Sequence, residues 1–156
     1  MPPASITPRH KAIQYLAMRE HSYLELSRKL HQKGYDAIEI DQALSRLVDD
    51  DLLSDTRFGE AFVRSRILKG YGPVRICNEL KEKGLSGFQV EQSFNANIID
   101  WDEIIERAWL KKYSVSADNT PREKAKQWRF LQYRGFTQAQ ITALFRRINS
   151  LNSSVC

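Results

Sequence analysis

Apolar positions along this chain recur with a helical period, and one short phrase of the pattern is written three times. Gly34, Gly84 and Gly135 stand fifty and fifty-one residues apart. Each has a leucine four positions before it (Leu30, Leu80, Leu131) and an apolar residue directly after it (Tyr35, Leu85, Phe136). A helix-capping signature follows in every copy: Asp36-Ala-Ile-Glu39, Ser86-Gly-Phe-Gln89 and Thr137-Gln-Ala-Gln140. Six past the glycine another apolar residue closes the phrase (Ile40, Val90, Ile141). Self-similarity at such a period predicts tandem supersecondary units, each leaning on its neighbours.

Each unit reads as three helices. The first helix of each follows Thr7-Pro8, Ser54-Asp55 and Asp100-Trp-Asp-Glu103. The middle helices start at Ser22, with Glu25 completing a capping box, at Gly72-Pro73, and at Thr120-Pro121-Arg-Glu123. All three middle helices are expected to stop at the repeated glycine, which can adopt a left-handed conformation without a Cβ penalty. The third helices begin at the caps above. The expectation is all-α, with nine helices in three tandem three-helix units forming an elongated, curved array. The units span residues 7–53, 54–99 and 100–148, followed by a frayed polar tail, 149–156. Linkers from Asp51 to Ser54 and from Asn97 to Asp100 are short, so neighbouring units must touch. The longer irregular stretch, Ser114 to Asn119, falls inside the third unit. Phe58, Ala61, Phe62 and Ser65 are expected on one core face, and Ala125, Trp128 and Leu131 on another. Trp101 and Trp109 are read as packing aromatics.

A unit this small buries only roughly 60% of its unfolded-chain surface, which again requires contact between units. At 42% apolar and 28% charged residues the composition is that of a folded chain. Apolar runs fall short of the roughly 18 residues of a membrane span, and the start lacks the apolar stretch of a secretory signal. Cys77 and Cys156 read as free thiols, so the expected location is the cytoplasm.

Candidate chemistry is sparse. His10, His21 and His31 are ten and eleven residues apart and share no helical face. The run Asp49-Asp50-Asp51 has Leu53 and Ser54 where a calcium loop needs an oxygen ligand and a glycine. Gly70-Tyr-Gly72-Pro73 lacks the preceding strand and third glycine of a phosphate loop, and reads as a helix stop followed by a helix start. No cofactor, metal or catalytic residue is expected.

Charge adds more. Residues 1–53 carry 7 basic and 8 acidic groups, residues 54–100 carry 7 and 6, and residues 101–156 carry 10 and 5. The excess of cations sits in the last third and points to an acidic partner there. Arg122, Lys126, Arg129 and Tyr133 form one exposed stripe at helical spacing, although like charges at such spacings repel by a few tenths of a kcal/mol. Arg107, Lys111 and Lys112 on the preceding helix add to the same positive region. Phosphates or a carboxylate-rich protein surface would suit it. In the second unit Arg57 and Arg64 share a face with Glu60, and Arg66, Lys69, Tyr71 and Arg75 cluster about the turn into the middle helix.

One long segment carries a resemblance. Asp55-Thr-Arg57-Phe58-x-x-Ala61-Phe62-Val-Arg64-Ser-Arg66 is followed by Lys69-Gly-Tyr-Gly-Pro73-x-Arg75-Ile76-x-x-Glu79-Leu80-x-x-Lys83-Gly84. Together they closely resemble the RecX family, bacterial regulators of the RecA recombinase. The likeness continues through Tyr15-Leu16-Ala17-x-Arg19-Glu20-His21-Ser22 and through Arg129-Phe130-Leu131-x-Tyr133-Arg134-Gly135-Phe136, covering roughly residues 11–148. It departs at Cys77-Asn78. The resemblance implies three three-helix units and binding within the groove of a RecA–DNA filament. It also implies restraint of the filament's growth, strand exchange, ATPase and coprotease activities. A monomer is expected. Arg57, Arg64, Arg66, Lys69, Tyr71 and Arg75 are then expected to carry much of the filament contact. The stripe of Arg122, Lys126 and Arg129 with Lys111 and Lys112 would meet DNA phosphate or acidic filament surface. The rival reading is an autonomous DNA-binding protein of three-helix modules.

Overall fold

Eight of the nine described helices begin where a side-chain oxygen is ready for the first free amides. The computed structural model describes residues 6–113 and 120–154, and among them there are nine α-helices and no strand. They are α1 (Pro8–Met18), α2 (Tyr23–Gln32), α3 (Ala37–Asp49), α4 (Asp55–Leu68), α5 (Pro73–Glu82), α6 (Gly87–Asn95), α7 (Trp101–Lys112), α8 (Pro121–Tyr133) and α9 (Gln138–Ser154). Thr7, Ser22, Asp36, Ser54, Ser86, Asp100, Thr120 and Thr137 each accept a hydrogen bond from a first-turn amide of the helix that follows. Ser86–Gln89 and Thr137–Gln140 are complete reciprocal boxes. The box expected at Ser22 is half made. Ser22 Oγ accepts from the Glu25 amide, but the Glu25 carboxylate turns away to two cations instead.

The repeated phrase has a mechanical meaning. Gly34, Gly84 and Gly135 have φ of 92°, 93° and 99°. The amide after each glycine donates back to the carbonyl of the leucine four before it: Tyr35 to Leu30, Leu85 to Leu80, Phe136 to Leu131, at 3.2–3.3 Å. That is a Schellman stop, and its two flanking apolar residues are buried in every copy. The pattern leucine–x–x–x–glycine–apolar is therefore one hydrogen-bonded, hydrophobically sealed helix end.

The described structure divides into two compact units. The first comprises residues 1–62 with 80–97, the second residues 63–79 with 98–156. Two of the three divisions fall inside helices, α4 and α5, so the middle repeat contributes to both units. The first has a core of Ala12, Leu26, Leu30, Tyr35, Ile40, Leu44, Leu47 and Leu53. The second is built on Ile104, Ile105, Ala108, Trp109, Leu131, Phe136, Ile141, Leu144 and Ile148, with Ile67 and Trp101 packed against it.

Successive repeats touch within each unit, as the short linkers require. In the first unit the Tyr23 amide opening α2 donates to Asp55 Oδ1 of the next repeat at 2.8 Å. A Cβ on Gly84 would lie 2.9 Å from that of Leu24. In the second unit α5 lacks a side-chain cap. The Gly72 and Val74 amides donate instead to the Arg134 and Gly135 carbonyls, at 2.8 and 2.9 Å. A Cβ on Gly72 would come within 2.5 Å of the Gly135 backbone, so both glycines are needed for this approach. The next repeat thus satisfies the free amides of the middle helix before it.

Several expected faces are corrected. Ser65 and Ala125 are exposed, while Val63 and Gln127 are buried. Gln127 is sheltered because its Oε1 accepts the Trp109 indole N–H at 3.0 Å, leaving that buried donor satisfied. Trp128 stacks on Phe145 with centroids 6.0 Å apart. His21 is buried and structural. Burial pushes its pKa down, its Nδ1 lies 3.0 Å from the Arg19 carbonyl, and its Nε2 lies 2.9 Å from Lys29 Nζ. The last helix runs to Ser154, past the expected boundary at Ile148, since no glycine or proline interrupts it. The stretch Ser114 to Asn119, and Cys156, lie outside the described residues.

Candidate functional site

Three guanidinium groups converge on one tyrosine in the second unit. Arg66 leaves the end of α4, Arg75 stands in the first turn of α5, and Arg134 follows α8. Their Cζ atoms lie 5.4, 4.2 and 4.9 Å from the Tyr71 ring centroid. The Schellman stop at Gly70, φ 83°, places Tyr71 at this point, its amide donating to the Arg66 carbonyl. Glu79, one turn along α5 from Arg75, holds two of the cations: Arg66 Nε is 2.8 Å from its Oε2 and Arg75 Nε is 3.0 Å from its Oε1. The hydrogen bond to Glu79 pushes the Arg75 pKa up and keeps it charged. Arg134 also donates to the Lys69 carbonyl at 3.1 Å.

Of the residues expected at the middle repeat, the structure therefore joins Arg66, Tyr71 and Arg75, with Lys69 exposed beside them. Arg64 is exposed on α4. Arg57 belongs to the first unit and is engaged there. Its Nε is 3.1 Å from Glu20 and its Nη1 2.8 Å from Asp51, and Nη2 donates to the Asp51 carbonyl. Side-chain hydrogen bonds to Asp51 and Glu20 raise its pKa. Sequence reasoning missed Arg134, although its place just before the repeated glycine was a usable signal.

The stripe on α8 is exposed as expected: Arg122, Lys126, Arg129 and Tyr133 all face solvent. The cations expected on α7 split between two shallow depressions. Lys112 joins Tyr113, Glu123, Lys126, Arg129, Phe130 and Tyr133 around one of about 560 Å³. Arg107 and Lys111 line another with Glu103, Glu106 and Leu110. Arg107 is paired with Glu103 at 2.6 Å, so that second site is balanced in charge and the first is basic.

Models of the three RecX three-helix domains match this chain in order. The first matches residues 9–47, the second 54–93 and the third 100–145. The chain belongs to the RecX family. Proteins named Regulatory protein RecX from Pseudomonas savastanoi and Ectopseudomonas mendocina are 45% and 43% identical to it. They cover 87% and 88% of this chain and 90% and 92% of their own. The crystal structure of RecX from Lactobacillus salivarius shares the fold, with a TM-score of 0.73 at 21% identity over 91% of this chain and 94% of that one. Each RecX domain match begins at the start of a repeat's first helix, in it or at its cap, and ends in its third, so the family's unit is the repeat read from the glycines. Among the described residues no helix is long and apolar enough to cross a membrane.

Proposed function

We propose that this protein is a non-catalytic regulator that binds the RecA–DNA filament and restrains its growth, ATPase, strand-exchange and coprotease activities, acting as a cytoplasmic monomer. The observation that carries this reading is the match of all three tandem domains to one regulatory family. The placement of cationic excess supports it. In the first unit Arg9, Arg19 and Arg57 pair with internal acids, whereas in the second Lys112, Arg122 and Arg129 face solvent and Lys126 stands 3.5 Å from Glu123. Linked modules contacting successive filament subunits would multiply weak contacts into firm binding. Arg66, Tyr71, Arg75 and Lys69 form the second contact region of this proposal.

RecA-catalysed ATP hydrolysis on single-stranded DNA tests it. Wild-type protein should lower the rate, and joint charge reversal of Arg122, Lys126 and Arg129 to glutamate should raise the half-inhibitory concentration several-fold. An ATPase untouched by wild type would overturn the regulatory reading. Salt-sensitive DNA binding without any effect on RecA would leave the autonomous DNA-binding alternative.

A further inference from the structure

The basic depression on α7 and α8 has the make-up of a groove for a single strand. Tyr113, Phe130 and Tyr133 contribute rings, and Lys112, Lys126 and Arg129 contribute cations. Glu123 is the one acid among these lining residues, and it stands 3.5 Å from Lys126. Two of the rings are occupied with each other. Tyr113 and Phe130 meet edge to face at 5.8 Å, and Lys112 Nζ lies 4.4 Å from the Phe130 centroid. Tyr133 differs. It is 76% exposed, and the Arg75 guanidinium lies 5.2 Å from its ring centroid. Arg75 is itself anchored by Glu79 and Tyr71. A cation fixed against one part of an exposed ring makes a positioned platform for a second planar group.

We propose that this depression binds single-stranded nucleic acid, with one base stacked on Tyr133 and the flanking phosphates on Lys112, Lys126 and Arg129. Lys126, Arg129 and Tyr133 are spaced i, i+3 and i+7, so cations and ring share one face of α8. A duplex hides its base faces and would leave Tyr133 without a stacking partner. An acidic peptide would satisfy the cations but would likewise leave the ring unused. Aromatic platforms beside a cationic track are how strands are held without sequence preference. Arg75, part of the second contact region, also serves as a positioning residue for Tyr133. The site deepens the regulatory reading above. Its assay contains no RecA, so the failure of either is seen separately.

Fluorescence anisotropy of dye-labelled oligothymidine across a salt series tests this on the full chain. Tyr133→Ala should weaken binding about tenfold with the salt slope unchanged, because a stacked base contributes without releasing counterions. Tyr133→Trp should tighten it. Lys126→Ala combined with Arg129→Ala should flatten the log–log salt slope by about 1.4, from roughly 0.7 per phosphate contact. A duplex should bind more weakly and ignore Tyr133→Ala. Unchanged strand affinity in Tyr133→Ala, or a duplex preferred over the strand, overturns the site. Displacement of the strand by polyglutamate at matched charge also overturns it, and assigns the face to an acidic protein surface. Circular dichroism reports folding of each variant. Were Tyr133→Ala to misfold, the tryptophan variant and the salt slope decide the matter.

Discussion

Glu25 and Arg75 hold the same place in successive repeats, the third residue of the middle helix, and carry opposite charges. Glu25 is 8% exposed. Arg19 donates to both its oxygens at 3.0 and 2.8 Å, and Lys83 of the next repeat donates at 3.2 Å. Burial pushes its pKa up, but the hydrogen bonds from Arg19 and Lys83 outweigh that and hold it at about 2 instead of 4.5. Arg75 meets the next repeat as a cation lying between Tyr71 and Tyr133, with Glu79 shared with Arg66. One junction closes its charges inward; the other keeps a surplus of positive charge near an exposed ring. A shared frame therefore yields a fastening in the first unit and an exposed cationic surface in the second.

The glycines at the two junctions give the sharpest way to break this comparison. Gly135→Ala should destabilise most, by about 4 kcal/mol, because φ of 99° strains any Cβ and the new atom would lie 2.7 Å from the Arg75 amide nitrogen. Backbone cannot move aside cheaply. Gly84→Ala should cost less, about 3 kcal/mol, because φ of 93° strains it equally but its contacts are longer, 2.9 Å to the Leu24 Cβ and 3.0 Å to a Leu24 Cδ that can turn away. Urea denaturation followed by circular dichroism checks both, and equal costs would deny the difference between the junctions.

Next in size is the acid limb of stability. The depressed pKa of Glu25 means that its contribution is present above about 4.5 and is lost as pH falls through about 2. It amounts to about 3 kcal/mol at most. Glu25→Gln should lower stability at neutral pH and flatten the pH dependence between about 5 and 2. A variant whose acid unfolding curve tracks wild type would mean that the carboxylate is not the fastening. The smallest effect is expected at Gly87, the first residue of α6, where an added Cβ meets nothing within 4 Å. Gly87→Ala should be neutral or stabilising by roughly 0.5 kcal/mol in the same denaturation assay.

The helix ends were legible because each is made by residues three to five apart. Ser86 with Gln89, and Leu80 with Gly84 and Leu85, announce themselves in a linear reading. The exposed row on α8 was legible for the same reason. Arg57 was not. Its acids Glu20 and Asp51 are brought to it by the fold, and a surface arginine reads alike whether free or engaged. Gln127 is buried on α8 where Ala125 was expected to be, because a buried indole N–H needed an acceptor, which periodicity cannot express. Arg134 escaped notice because its contacts with Tyr71 and Lys69 span more than sixty residues of chain.

Local chemistry alone established three three-helix repeats, their stops, and a cationic last third, since capping, glycine conformation and helical period act within a turn or two. Tertiary structure settled which charges are engaged and which remain available. It also split the middle repeat between two compact units and set Arg75 against Tyr133. Ion-pair partners, burial and ring contacts depend on residues far apart in the chain, and those distances exist only once the backbone has folded.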